Sequence, residues 1–136
     1  MMKSSCDMPT KKILVIDDEP SICRLLVKFL RQEGYEAASA KDAQEALAYL
    51  STEKPDVIFL DIKLPGIDGI DILKMIKKQE KGISVVMISG HASENTARDS
   101  LILGAFEYIN KPIDLMRVRD VLVRIQINEY ANGGIL

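Results

Sequence analysis

The chain has 136 residues, an apolar fraction of 47%, and 18 Lys and Arg against 20 Asp and Glu, which is the size and balance of one globular domain. A core burying roughly two thirds of the unfolded surface is within its reach, and the overall positive field of a general nucleic-acid binder is excluded. Two cysteines, Cys6 and Cys23, with one histidine, His91, exclude a zinc site built from Cys and His; they are read as free thiols of a reducing, cytoplasmic compartment.

Residues 1–10 carry no apolar core of signal-peptide length and are read as a flexible, polar N-terminal tail. No apolar run approaches the about 20 residues of a membrane span, so no membrane partner is expected. From Lys11 onward two patterns alternate. Ile13 to Ile16 is a short, wholly apolar, β-branched run, as found in a strand covered on both faces. Ile22, Leu25, Leu26, Phe29 and Leu30 then recur at helical spacing, opened by Pro20 and closed by Gly34. Tyr35 to Ser39 is mixed in polarity and suits an edge strand. Asp42 with Glu45 resembles a capping box and starts a second helix reaching about Leu50.

Val57 to Leu60 is the next buried strand, and Ile70, Leu73 and Ile76 mark a third helix ending near Gly82. Ile83 to Ile88 is another apolar strand. Ser93 to Gly104 has a mostly polar first half and is expected to be a lightly packed or soft helix. Phe106 to Ile109 suits the second edge strand, and Leu115, Val118, Leu122 and Ile125 define the last helix. Met75, Met87 and Met116 are read as gap-filling core. Five strands alternating with five helices predict an α/β fold, a doubly wound parallel sheet with helices on both faces. The folded domain is expected over residues 11–127, with 128–136 a C-terminal tail or the start of a linker.

In such a sheet, ligands bind outside the carboxyl ends of the strands. Asp17, Asp18 and Glu19 follow the first strand, Asp61 the third, Ser89 the fourth, and Lys111 stands two residues beyond the fifth. Close carboxylates repel one another when ionised, and a divalent cation offsets that repulsion. Magnesium takes carboxylate oxygens while accepting phosphate oxygens, which leaves one aspartate free to attack phosphorus. Each residue also has an ordinary reading: Asp17 and Asp18 as helix caps, Asp61 as a loop acid, Lys111 as an exposed cation, Tyr108 as strand packing. Their arrival in order at successive strand ends is what argues against chance.

At these residues the sequence resembles the receiver domain of two-component response regulators, from about Lys11 to Ile127. The resemblance rests on Ile16-Asp17-Asp18-Glu19-Pro20, on Leu60-Asp61-Ile62-Lys63-Leu64-Pro65-Gly66-Ile67-Asp68-Gly69, on Ser89-Gly90-His91, and on Tyr108 with Lys111-Pro112. It implies a flavodoxin-like sheet of order 2-1-3-4-5, for which the chemotaxis receiver is the standard example. It implies that Asp61 is the phosphoacceptor. Asp17, Asp18, Asp61 and the backbone carbonyl of Lys63 would hold magnesium, with manganese as a substitute, and Ser89 and Lys111 would contact the phosphoryl group. Ser89 and Tyr108 would act as a switch that alters the face of the fourth helix, fifth strand and fifth helix. A cis Lys111-Pro112 bond is expected as well.

The partners so implied are a sensor histidine kinase or histidine phosphotransfer protein, and an output domain or downstream protein on the switching face. A phosphorylation-dependent homodimer is a further implied partner, and direct nucleic-acid binding is not expected. His91, read as an exposed loop residue, and Lys63, two positions after Asp61, are the candidates for tuning water access to the phosphoryl group. Ser89 to Ile113 is similar to receivers attached to nitrogen-regulator-type transcriptional activators, so the chain is expected to be a stand-alone receiver or one domain of a longer regulator. The competing reading is a magnesium-dependent phosphatase using an aspartyl phosphate. Phosphatases of the haloacid dehalogenase kind place an acid two residues after the nucleophile, where this chain has Lys63. A flavodoxin-like electron carrier is disfavoured because Asp17-Asp18-Glu19 would repel a flavin phosphate.

Overall fold

A computed structural model describes residues 11–80, 82–90 and 94–131. The expected tail over residues 1–10, Cys6 and His91 lie outside these. Five parallel strands, β1 (Lys12–Ile16), β2 (Glu36–Ala40), β3 (Val57–Asp61), β6 (Ser84–Ser89) and β7 (Glu107–Asn110), form one sheet of order β2-β1-β3-β6-β7. Counting only these long strands, the order is 2-1-3-4-5, the flavodoxin-like arrangement. The two mixed-polarity runs occupy the edges, and the three apolar runs occupy the centre.

Alternation along the central strands divides the core. Ile13, Val15, Val57, Phe59, Val86 and Ile88 point to one face, where Leu26, Phe29 and Leu30 of α1 (Pro20–Gln32) meet Val118, Val121, Leu122 and Ile125 of α5 (Leu115–Glu129). Leu14, Ile16, Ile58, Leu60, Val85 and Met87 point to the other. There they meet Ala46 of α2 (Ala43–Thr52) and Ile72, Leu73 and Ile76 of α3 (Gly69–Gln79). Both faces of every central strand are therefore covered, which is why these runs are apolar throughout rather than alternating with polar residues. Asp42 caps α2 by accepting the Glu45 N–H at 2.9 Å, and the Glu45 carboxylate accepts the N–H of Lys41, the residue before the cap, at 2.9 Å, a one-residue variant of the expected capping box.

Two expectations need correction. Leu25 is exposed and Cys23 takes its place in the buried stripe of α1, because at about 100° per residue Leu25 stands at the rim of the stripe centred on Leu26, while Cys23 lies within it. Met116 is exposed, on the outer side of the first turn of α5, and fills no gap; Met87 is fully buried. A two-stranded antiparallel hairpin, β4 (Lys63–Leu64) and β5 (Ile67–Asp68), was not anticipated. It turns at Pro65-Gly66, with Gly66 at φ 78°, where Pro supplies the fixed φ and Gly the left-handed position of a type II turn. The last helix, α5, ends at Glu129, whose carboxylate pairs with Lys11.

The helix expected to be soft, α4 (Glu94–Ile102), carries one buried residue among those whose burial is described, and that residue is polar: Ser100, whose hydroxyl donates to the Thr96 carbonyl at 2.9 Å. Among the described residues no helix is long and apolar enough to cross a membrane.

Candidate functional site

The carboxyl ends of β1, β3 and β6 bring together residues far apart in sequence. Asp17 is fixed on every side. Its N–H donates to the Ala40 carbonyl at 3.0 Å, its carbonyl accepts the Cys23 thiol at 3.2 Å, and its carboxylate is fully buried. Oδ1 accepts the Glu19 N–H at 2.8 Å, while Oδ2 lies 2.9 Å from Lys111 Nζ in an ion pair that lacks hydrogen-bond alignment. Asp18, one residue on, faces solvent.

Asp61 ends β3, 4% exposed. Its Oδ1 accepts the Lys63 N–H at 3.1 Å and its Oδ2 accepts Lys111 Nζ at 3.3 Å. Burial pushes its pKa up, against the Lys63 N–H; Asp17 adds to the rise and Lys111 opposes it, with a net upward shift. Gly69 explains the tightness just behind it. The Gly69 N–H donates to the Ile62 carbonyl at 2.7 Å, and a Cβ at this position would fall 2.3 Å from the Asp61 carbonyl oxygen. The first turn of α3 thus presses on the backbone of Asp61, an approach open to glycine alone.

Lys111 follows β7, held by its N–H to the Ser89 carbonyl at 2.8 Å, and the Lys111-Pro112 bond is cis, as the resemblance implied. Its side chain is 14% exposed, and its ammonium lies 2.6 Å from Glu19 Oε1, 2.9 Å from Asp17 and 3.3 Å from Asp61. Burial works against its charge, but Glu19, Asp17 and Asp61 outweigh that cost and hold its pKa well above the ordinary range. Ser89 is buried at the end of β6, one residue beyond the Asp61 partner Ile88. Lys63 begins β4 with its side chain exposed. Tyr108 sits in β7 opposite Met87 and packs against the α3 side of the sheet; its hydroxyl is buried and has no hydrogen-bond partner among the described residues.

One carboxylate oxygen each from Asp17, Asp18 and Asp61 lies within 4.8 Å of the others. Three carboxylates against one ammonium, with oxygen donors throughout, fit a hard divalent cation such as magnesium and suit a soft metal poorly. The structure thus brings Asp17, Asp18, Asp61 and Lys111 together, with Ser89 on the adjoining strand end. Reasoning from sequence assigned no role to Glu19 or Gly69. The signal for Glu19 was its position: it is the N-cap of α1, a place that favours Ser, Thr, Asp or Asn, and its side chain makes no capping bond.

Comparison with known proteins bears on the fold and the family. A family profile described as response regulator receiver domain matches residues 13–123. Nitrogen assimilation regulatory protein NtrX of Azorhizobium caulinodans is 44% identical over 108 residues, which is 78% of this chain and 24% of that protein. Sporulation initiation phosphotransferase F of Bacillus subtilis is 36% identical over 115 residues, 85% of this chain and 93% of that protein. Among solved structures, a CheY-like receiver domain protein from Methanospirillum hungatei superposes with TM-score 0.79 at 32% identity, covering 88% of this chain and 99% of that one. NtrX from Brucella abortus gives TM-score 0.80 at 36% identity, covering 91% of this chain and 30% of that one. The chain therefore spans about a quarter of the NtrX relatives and nearly all of the small ones.

Proposed function

The chain belongs to the response regulator receiver family, signalling domains of two-component systems, and on that premise we propose that Asp61 accepts a phosphoryl group from a histidine kinase or histidine phosphotransfer protein. The observation that carries this reading is the meeting of Asp17, Asp18 and Asp61 within 4.8 Å, with Lys111 bridging two of them from 50 positions beyond Asp61. An Asp61 carboxylate oxygen forms the new O–P bond as the bond from phosphorus to the donor nitrogen breaks, its electron pair leaving with the donor. Lys111 offsets charge on the transferring group, and Ser89 donates to one of its oxygens. Magnesium held by Asp17, Asp18, Asp61 and the Lys63 carbonyl would neutralise both the carboxylates and the phosphoryl oxygens. Asp17, buried and bonded on three sides, keeps the pocket's shape while Asp18 faces the entrance.

The signal leaves through α4, β7 and α5. Tyr108 turns with Ser89 and changes this face, which contacts an output domain, a downstream protein or a second copy. Such a change requires two arrangements only a few kcal/mol apart, and the thinly packed α4 and the Tyr108 hydroxyl, without a partner among the described residues, both supply a low cost of rearrangement. Where a turnover phosphatase would carry its acid, this chain has Lys63 with an exposed side chain, so the domain turns over no external substrate in this reading.

The test is incubation with magnesium and acetyl phosphate, followed by intact mass. A single phosphoryl adduct is expected in the wild type and none in Asp61→Asn. An adduct of equal yield in both would sink the assignment of Asp61.

A further inference from the structure

Lys111 makes its shortest contact with neither the acceptor nor the buried Asp17. It lies 2.6 Å from Glu19 Oε1, against 3.3 Å from Asp61 Oδ2. Glu19 is itself exposed, at 53% of its side chain, and occupies the N-cap of α1 without capping it. Its backbone is tied down instead: the N–H donates to Asp17 Oδ1, and the carbonyl accepts from Ile22 and Cys23 at 3.1 Å. With its backbone spent on the helix start, its side chain is committed to Lys111 at the mouth of the pocket. From the reading of Asp61 as phosphoacceptor, we propose that Glu19 is a positioning residue that draws the Lys111 ammonium toward the mouth and thereby restrains phosphoryl acceptance.

Two effects act in the same direction. A transferring phosphoryl group needs Lys111 on its own oxygens, so the contact with Glu19 must loosen before Lys111 can stabilise that charge fully. Glu19 also adds a negative charge where an anionic donor enters. Asp17 and Asp61 lie deeper and fall within the catalytic constellation, whereas Glu19 belongs to the Lys111 contact alone.

The experiment compares initial rates of phosphorylation by acetyl phosphate with magnesium in wild type, Glu19→Gln and Glu19→Asp, alongside the side-chain 15N signal of Lys111 in each unphosphorylated protein. Gln keeps the reach and removes the charge; Asp keeps the charge and shortens the reach by one methylene. Because Glu19 is exposed, both variants should fold, which their amide spectra verify. Both should accept the phosphoryl group about two- to fivefold faster, the range set by one partly exposed ion pair. Both should also shift the Lys111 signal. Rates of Glu19→Gln equal to or below wild type overturn the proposal. Acceleration in Gln but not in Asp, with Lys111 unmoved in Asp, overturns the contact and leaves only the general field. If the wild type takes no phosphoryl group, or Asp61→Asn takes as much, the reading of Asp61 fails, and the restraint on acceptance falls with it even where the Lys111 signal moves.

Discussion

At the scale of single residues, the site combines groups whose environments pull in opposite directions. Asp61 is buried enough for its pKa to rise, yet keeps a carboxylate oriented by the Lys63 N–H and Lys111. Lys111 is half-buried, and three acids hold it charged. Tyr108 presents the opposite case, a buried hydroxyl with no partner among the described residues, and a buried hydroxyl left unpaired costs about 1 to 3 kcal/mol relative to one that is paired. Removing the hydroxyl while keeping the ring should therefore help. Tyr108→Phe is expected to raise stability by about 1 kcal/mol in urea denaturation while leaving phosphorylation by acetyl phosphate intact. A loss of stability of that size would show that the hydroxyl is bonded in the protein and that its burial carries no strain.

At the scale of elements, the α4, β7 and α5 face combines a lightly packed helix with a charged clasp. α4 contributes little to the core, while β7 is clasped to α5 by charge. Glu107 on β7, about four-fifths buried, pairs with Arg117 at 3.2 Å and with Arg124. Burial alone would raise the Glu107 pKa, but hydrogen bonds from Arg124, the Tyr108 N–H and Arg117 hold it below its ordinary value of 4.5. A carboxylate lowered in this way contributes stability that is present above its unfolded pKa and disappears as pH falls through the folded one. Glu107→Gln should accordingly cost about 0.5 to 1 kcal/mol at pH 7, the arginines being nearly half exposed. The gap from wild type should close as pH falls below the ordinary glutamate range and through the lowered folded pKa. Parallel urea titrations across that range make the comparison, and a gap independent of pH would mean the clasp contributes through packing rather than charge.

At the scale of the whole molecule, two cores flank one sheet and leave the carboxyl edge to carry charge. Net charge is minus 2, yet Asp17, Asp18 and Asp61 concentrate negative charge in one pocket. A cation that binds there and not to the unfolded chain must stabilise the fold by mass action. Thermal melts with magnesium at roughly 10 to 100 times its dissociation constant should show about 1 to 3 kcal/mol of added stability, reversed by chelation. Asp18→Asn and Asp61→Asn should lose most of that gain. Equal gains in both variants would place the cation elsewhere.

How much of this was legible beforehand follows from which forces are local. Apolar runs and helical spacing placed the five long strands and five helices to within a few residues, because burial on both faces constrains a short strand whatever its neighbours. The acids, Ser89 and Lys111 were visible as strand-end residues for the same reason. The β4 and β5 hairpin escaped notice since two-residue strands are too short to show a period, though Pro65-Gly66 marked its turn. Strand order could be read only through the family resemblance, because pairing is a non-local choice that no single run of residues encodes. The sequence by itself thus determined the layers of the fold and the chemical inventory of its edge. The tertiary structure alone decided that Lys111 rests closer to Glu19 than to Asp61, that Gly69 backs the acceptor, and that the Tyr108 hydroxyl is buried with no partner among the described residues. Those are relations across 92, 8 and 21 positions, between Glu19 and Lys111, Asp61 and Gly69, and Met87 and Tyr108, and only the folded chain brings their partners within reach.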